Sequence, residues 1–175
     1  MSLTRRLALG GGGGLLAAVL LRPALVLAAG PVEIAMSGTA DGAQVWFDPI
    51  GVHIEPGQTV RWTNRDAGNS HTATAYHPSL WERPLRIPEG ATPWDSDYLL
   101  PDESFEVTLT VPGVYDYYCV PHEHAGMVGR IVVGTPAADF AFPPPEASLE
   151  PLPEAALGNF PAVAEILAKG MVHRT

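Results

Sequence analysis

The stretch Tyr117-Tyr118-Cys119-Val120-Pro121-His122-Glu123-His124-Ala125-Gly126-Met127-Val128-Gly129 contains the chain's single cysteine. A thiol, imidazole and a thioether fall within nine residues here, at the end of an expected strand. Soft sulfur with imidazole suits copper, and a trigonal His, His, Cys set with a distant axial Met is the geometry of electron-transfer copper sites. Both His122 and His124 follow the cysteine, and a loop this short lets one of them reach an ion. The second imidazole has to come from another segment.

His71 fits that need. It follows the strand and turn Trp62-Thr63-Asn64-Arg65-Asp66-Ala67-Gly68-Asn69 and would open the next strand at the same end of a sandwich. Two loops would then clamp one ion. Ligands held by a rigid scaffold change little between Cu(I) and Cu(II), and the metal itself enforces deprotonation of its cysteine.

Outward from these loops, short β-rich segments recur between Gly/Pro turns, the mark of a sandwich or barrel. The expected strands are 32–37, 44–47, 51–55, 59–64, 70–75, 104–111, 114–119 and 129–133. Val60 and Trp62 share one face of theirs while Thr59, Arg61 and Thr63 share the other, as a half-buried strand requires. Phe105, Val107, Leu109 and Val111 alternate likewise. Pro56-Gly57 and Pro112-Gly113 sit at the centres of turns. Residues 76–94 contain Pro78, Pro84, Pro88 and Pro93, too irregular for a central strand, and read as an ordered excursion over the flank. Trp62, Phe105 and Tyr117 are expected in the core, with Met36 and Met171 as packing residues. His53, His77 and His173 are assigned to the surface.

From Pro136 a Pro-rich tail begins, with Pro143-Pro144-Pro145, Pro151 and Pro153, and it favours an extended tether. A short helix can follow, capped by Asn159, ended by Gly170, with Val163, Ile166, Leu167 and Met171 near one face. Docking on the core or fraying is the ordinary fate of such a tail.

The 175 residues suit one domain, and 10 basic against 19 acidic residues give a net charge of −9. Such a surface repels phosphate backbones and excludes nucleic acid as a partner. One cysteine excludes a disulfide framework, a four-Cys zinc site and an iron–sulfur cluster. Residues 1–29 hold Arg5, Arg6 and Arg22 and no acid, so removing them would take the charge to −12. Thr4-Arg5-Arg6-Leu7 opens an apolar run of 15 residues to Leu21, and Val26-Leu27-Ala28 offers a cleavage point. This reads as a twin-arginine export signal, too short to span a bilayer, and places the mature protein in the periplasm or elsewhere outside the cytoplasm. Contact with a membrane is expected only through an uncleaved leader. The expected organisation is 1–29 leader, 30–135 copper domain and 136–175 extension.

Tyr118-Cys119-x-Pro121-His122 followed by Gly126-Met127-Val128-Gly129, with Pro49, Gly57, Val60, Trp62 and Asn64 ahead of His71, resembles the cupredoxins, or small blue copper proteins. The likeness is to the plastocyanin, halocyanin and pseudoazurin branch and covers residues 32–134. It implies an all-β, eight-stranded Greek-key sandwich holding one type 1 copper, with His71, Cys119 and His122 as strong ligands and Met127 as the axial one. Cys119-x4-His124 also has the spacing of the azurin branch. The Pro121-His122 pair and the four residues from His122 to Met127 match the plastocyanin pattern instead, and His124 then lies beside the site as a titratable neighbour. Many members have Asn directly after the first His, tying the ligand loops together. Thr72 stands there in this chain, and Asn64 or Asn69 is expected to supply the tie.

Strand alternation turns Tyr118 away from the ligand side, toward a surface that plastocyanins use for partners. Asp116, Asp95, Asp97, Asp102, Glu103 and Glu106 could rim it with acid, which favours a cationic or weakly charged redox partner. The function this implies is a monomeric one-electron carrier between protein partners, not an enzyme. Its exit would be the edge of His122, in a flat patch with Ala125, Gly126 and Val128. The competing role is copper storage or delivery, which Met-rich or paired-Cys sites would serve better. A hydrolase with Cys119 as nucleophile and His122 as base lacks an orienting third group.

Overall fold

The computed structural model describes residues 30–137, 139–147 and 149–174, so the expected export signal lies outside the described residues. Two sheets face each other. The first has the order β2-β1-β4-β6, from β1 (Val32–Gly38), β2 (Val45–Asp48), β4 (Gln58–Asn64) and β6 (Ser104–Leu109). The second has the order β5-β7-β8-β3-β9, from β5 (Thr74–Ala75), β7 (Gly113–Tyr118), β8 (Val128–Val133), β3 (Gly51–Ile54) and β9 (Met171–Val172). β1 pairs parallel with β4 and β3 parallel with β8, while the other pairings are antiparallel.

Alternation accounts for the first sheet. Val60 and Trp62 point inward and are wholly buried, while Arg61 between them faces out and pairs with Glu33 and Glu106 across the neighbouring strands. Trp62 meets Tyr117 of the opposite sheet edge-on at 5.2 Å between ring centroids, and Phe47 meets the same ring at 4.8 Å. These aromatic contacts tie the layers directly beneath the strand end that carries Cys119. Met36 is in this core too, and Phe105 packs against its margin.

The second sheet is buried on both faces. Tyr115, Tyr117, Ile131 and Val133 face the core, and the C-terminal extension covers Asp116, Tyr118, Val128 and Val132 on the other side. The extension is therefore more than a tether. It forms α1 (Glu154–Asn159) and α2 (Val163–Lys169), then adds β9 to the edge of β3 as a ninth strand. Ile166 of α2 seats against Gly51, where a Cβ would come 2.8 Å from the Ile166 side chain.

Asn159 does not cap the second helix as expected; it is the last residue of α1. Phe160 precedes Pro161, and the steric conflict this creates drives Phe160 into extended backbone, ending α1 and delaying α2 to Val163. Gly170 ends α2 as expected, at φ 75° with its N–H on the Ile166 carbonyl. Met171 is exposed rather than packed, because it lies on the edge strand β9 and not on the helix.

Asp116 faces out from β7 yet is fully buried, so it belongs to no acidic rim. Arg130 binds it through Nε at 2.7 Å and Nη2 at 2.9 Å, and Arg86 adds a bond at 2.8 Å. Phe142 and Phe160 of the extension cover these guanidinium groups, with Arg86 4.2 Å from the Phe142 centroid. A charge this deep is tolerable only with such complete pairing.

Candidate metal centre

Two loops at one end of the sandwich build the site. The first leaves β4 at Asn64, whose side-chain N–H groups donate to the carbonyls of Asn69 (2.8 Å) and Leu99 (2.9 Å) while its Oδ1 accepts from the Asp66 N–H (2.9 Å). That staple closes the turn and presents His71, which is fully buried. The expected strand 70–75 shortens to β5. His71 and Thr74 pair instead by isolated bridges with Leu99 and Asp95 at the end of the Pro-rich excursion.

The second loop follows β7. Cys119 donates its N–H to the Met127 carbonyl at 3.0 Å, and residues Val120–Ala125 wind into a 3-10 turn with Pro at its start. Gly126 closes the turn at φ 79°, where a side chain would be strained. His122 N–H returns to the Cys119 carbonyl at 3.0 Å and Met127 N–H to the His122 carbonyl at 3.1 Å. The turn thus aims His122 and Cys119 at one point.

His71 Nδ1 lies 3.2 Å from His122 Nδ1 and 3.6 Å from Cys119 Sγ, and His122 Nδ1 lies 3.4 Å from the same sulfur. These three donor atoms fall within 4.8 Å of one another. Burial is the main force on all three groups. It lowers the His71 pKa, which the Asp66 carboxylate partly restores, and it lowers that of His122, with the neighbouring His71 adding to the effect. The Cys119 thiol is pushed up to about 11, against N–H bonds from Thr72 and His122. Near neutral pH both imidazoles are therefore uncharged and offer lone pairs. Three convergent lone-pair donors, two nitrogen and one sulfur, fit a soft or borderline cation such as copper. Met127 is fully buried in the same cluster as Cys119.

Residues 34–134 match the family model of copper-binding proteins of the plastocyanin/azurin family. The chain belongs to this family. It is 33% identical over 132 residues to the chloroplastic plastocyanin of Oryza sativa subsp. indica, covering 75% of this chain and 82% of that one. With the chloroplastic plastocyanin of Chlamydomonas reinhardtii it shares 39% identity over 95 residues, 54% of this chain and 62% of the relative. Among solved structures, a pseudoazurin from Sinorhizobium meliloti is 32% identical with a TM-score of 0.49, covering 66% of this chain and 86% of that one.

Within this cupredoxin the structure brings His71, Cys119 and His122 together and leaves His124 exposed, beside Trp81, Arg83 and Tyr118. Neither Asn64 nor Asn69 bonds to the Cys119 loop: Asn69 bonds within the first loop, and Asn64 bonds within it and to Leu99. Thr72 makes the tie itself. Its N–H reaches Cys119 Sγ at 3.3 Å and its Oγ1 accepts the Val120 N–H at 2.9 Å. Thr74 gives its proton to Asp95, so the Thr72 hydroxyl donates to Thr74 and a directed chain runs from Val120 to Asp95.

Tyr118 does point to the outer face, but it is buried there. It stacks on Tyr76 at 4.4 Å, lies under Arg83, and packs with Ala156 of α1. Gly126 and Val128 are likewise buried, leaving Pro121, His124 and Ala125 exposed around a half-buried His122. Asn159 donates to the Gly126 carbonyl at 2.9 Å, and Tyr76 and Arg83 hold the buried Glu123 of the turn. The tail therefore braces the ligand loop. Sequence reasoning missed Asp66, whose carboxylate lies 3.0 Å from His71 Nε2; an acid in the loop leading to a ligand histidine was the available signal.

Proposed function

We propose that this chain is a mobile one-electron carrier whose copper would be held by His71, Cys119 and His122, with Met127 as a further, weaker ligand. The carrying observation is the convergence of two imidazole nitrogens and one thiol sulfur in a buried pocket with a single half-exposed edge. A bound copper ion supplies the one-electron couple. The residues supply everything else: Thr72 links the two loops, Asn64 and the 3-10 turn fix their shapes, and the core excludes water. A cage so cross-linked changes little between oxidation states, which keeps electron transfer fast.

His122 is the exchange point, since His71 and Cys119 are fully buried and His122 is partly exposed. Burial of those two ligands also supports retention of the ion over its delivery, and the single such ligand set among the described residues supports a carrier over an enzyme. The partners are redox proteins with cationic or weakly charged surfaces, because removal of residues 1–29 would leave a charge of −12. Residues 1–29 would act as the export signal, residues 30–135 as the copper domain and 136–175 as its brace, in an exported monomer. Among the described residues no helix is long and apolar enough to cross a membrane.

Voltammetry of the copper-loaded full chain tests this reading. One reversible one-electron wave is expected. Tight copper binding without such a wave would replace the carrier with a storage protein.

A further inference from the structure

Asp66 is nearly as buried as the histidine it touches, at 5% exposed against 0% for His71. Its Oδ2 lies 3.0 Å from His71 Nε2, the imidazole nitrogen on the far side from Cys119 and His122. The carboxylate is held from several directions. Oδ1 accepts the Gly68 N–H at 2.9 Å, Oδ2 accepts Asn69 Nδ2 at 2.9 Å, and the Asp66 N–H is fixed on Asn64 Oδ1. Gly38, at the end of β1, lies flat against it, and a Cβ there would collide with Oδ2. Residues from β1, β4 and the loop thus build a cradle for one carboxylate aimed at one ring nitrogen. Arg65 beside it turns outward to Asp102, leaving His71 as the only ion-pair partner of Asp66 among the described residues.

A carboxylate that already accepts two N–H bonds takes the His71 bond as acceptor as well, so Nε2 carries the hydrogen and Nδ1 the lone pair. We propose that Asp66 is a positioning residue that sets the reduction potential of the site: it fixes Nδ1 of His71 as the ligand atom and, by its negative charge, favours Cu(II) over Cu(I). The proposal rests on the ligand set given above. The physical cause is that a carboxylate on the outer nitrogen raises the basicity of the inner one. A stronger donor and a nearby negative charge stabilise the doubly charged ion more than the singly charged one.

Asp66→Asn keeps the shape and an accepting oxygen but loses the charge. Partners of this kind are worth about 10- to 100-fold in metal affinity. A tenfold fall in the Cu(II)-to-Cu(I) preference raises the potential by about 59 mV for one electron. Gly38→Ala displaces the carboxylate without altering it and should raise the potential by a smaller amount. Glu33→Gln removes one exposed charge from the outer face of β1 and should leave it unchanged. A second readout uses the metal-free full chain: nitrogen NMR should find His71 as the Nε2–H tautomer, and in Asp66→Ala as a mixture of tautomers.

The proposal is overturned if Asp66→Asn moves the potential no more than Glu33→Gln does, or if metal-free His71 carries its hydrogen on Nδ1. Should Asp66→Asn fail to fold, Gly38→Ala decides by the same criterion. Absence of any reversible wave in the unaltered protein would sink the carrier reading, and the tautomer measurement would still judge Asp66.

Discussion

Replacing Thr72 by valine keeps the branched shape and removes one oxygen. That oxygen accepts the Val120 N–H at 2.9 Å and passes its own proton to Thr74, at a residue that is 1% exposed. Valine leaves the Val120 N–H without its acceptor at the root of the ligand turn, while Thr74 keeps Asp95. A stranded buried donor costs about 1–3 kcal/mol, so about 2 kcal/mol of stability should be lost. For a chain of this size that is a fall of roughly 4–8 °C in Tm. Thermal and urea unfolding of the metal-free protein measure it, and the rate of copper loss to a chelator should rise in the loaded form. Thr72→Ser retains the oxygen and should recover most of the loss. A Thr72→Val protein within about 0.5 kcal/mol of the parent would refute the claim that Thr72 ties the loops, as would a Thr72→Ser protein equally weakened.

Asp116→Asn breaks the pairing of the buried Asp116 with Arg86 and Arg130 beneath Phe142 and Phe160, and should cost at most about 3–5 kcal/mol in urea unfolding because two partly buried guanidinium groups lose their counter-charge. Acidification should weaken the metal-free protein: His71 and His122 have folded pKa values below their ordinary value, so the unfolded chain takes up protons first. Stability is then lost as pH falls below about 6.5, by at most ~1.4 kcal/mol per pH unit for each histidine. His71→Gln should flatten that slope in urea titrations at pH 7 and pH 5. Copper binding at pH 7 should release about one proton, from the Cys119 thiol and not from the uncharged histidines, which calorimetry in buffers of different ionisation enthalpy will count.

Residues 32–133 could be read closely because the strands are short β-rich runs set between Gly/Pro turns, several of them alternating: the expected ranges agree with β1, β2, β3, β4, β6, β7 and β8 to within a residue or two at most ends. The ligand turn was equally legible, since Cys119, His122 and Met127 lie on one short loop. Long-range contacts hid the rest. That Tyr118 and Asp116 are buried depends on Ala156, Phe142 and Phe160, far along the chain, and alternation alone turns both to the outside. Asn159 has a helix-cap composition, but the strain before Pro161 gave it another place, on the Gly126 carbonyl. Asp66 sits in a loop where acids are ordinary. Only the approach of Gly38 and Asn64 from separate strands turns it toward His71.

The most direct measurement is the visible absorption spectrum of the copper-loaded full chain beside that of Cys119→Ser. An intense thiolate-to-copper band is expected in the first and its loss in the second, with the voltammetric wave lost or displaced. A band and a wave that both survive the serine would show that the sulfur is not on the metal.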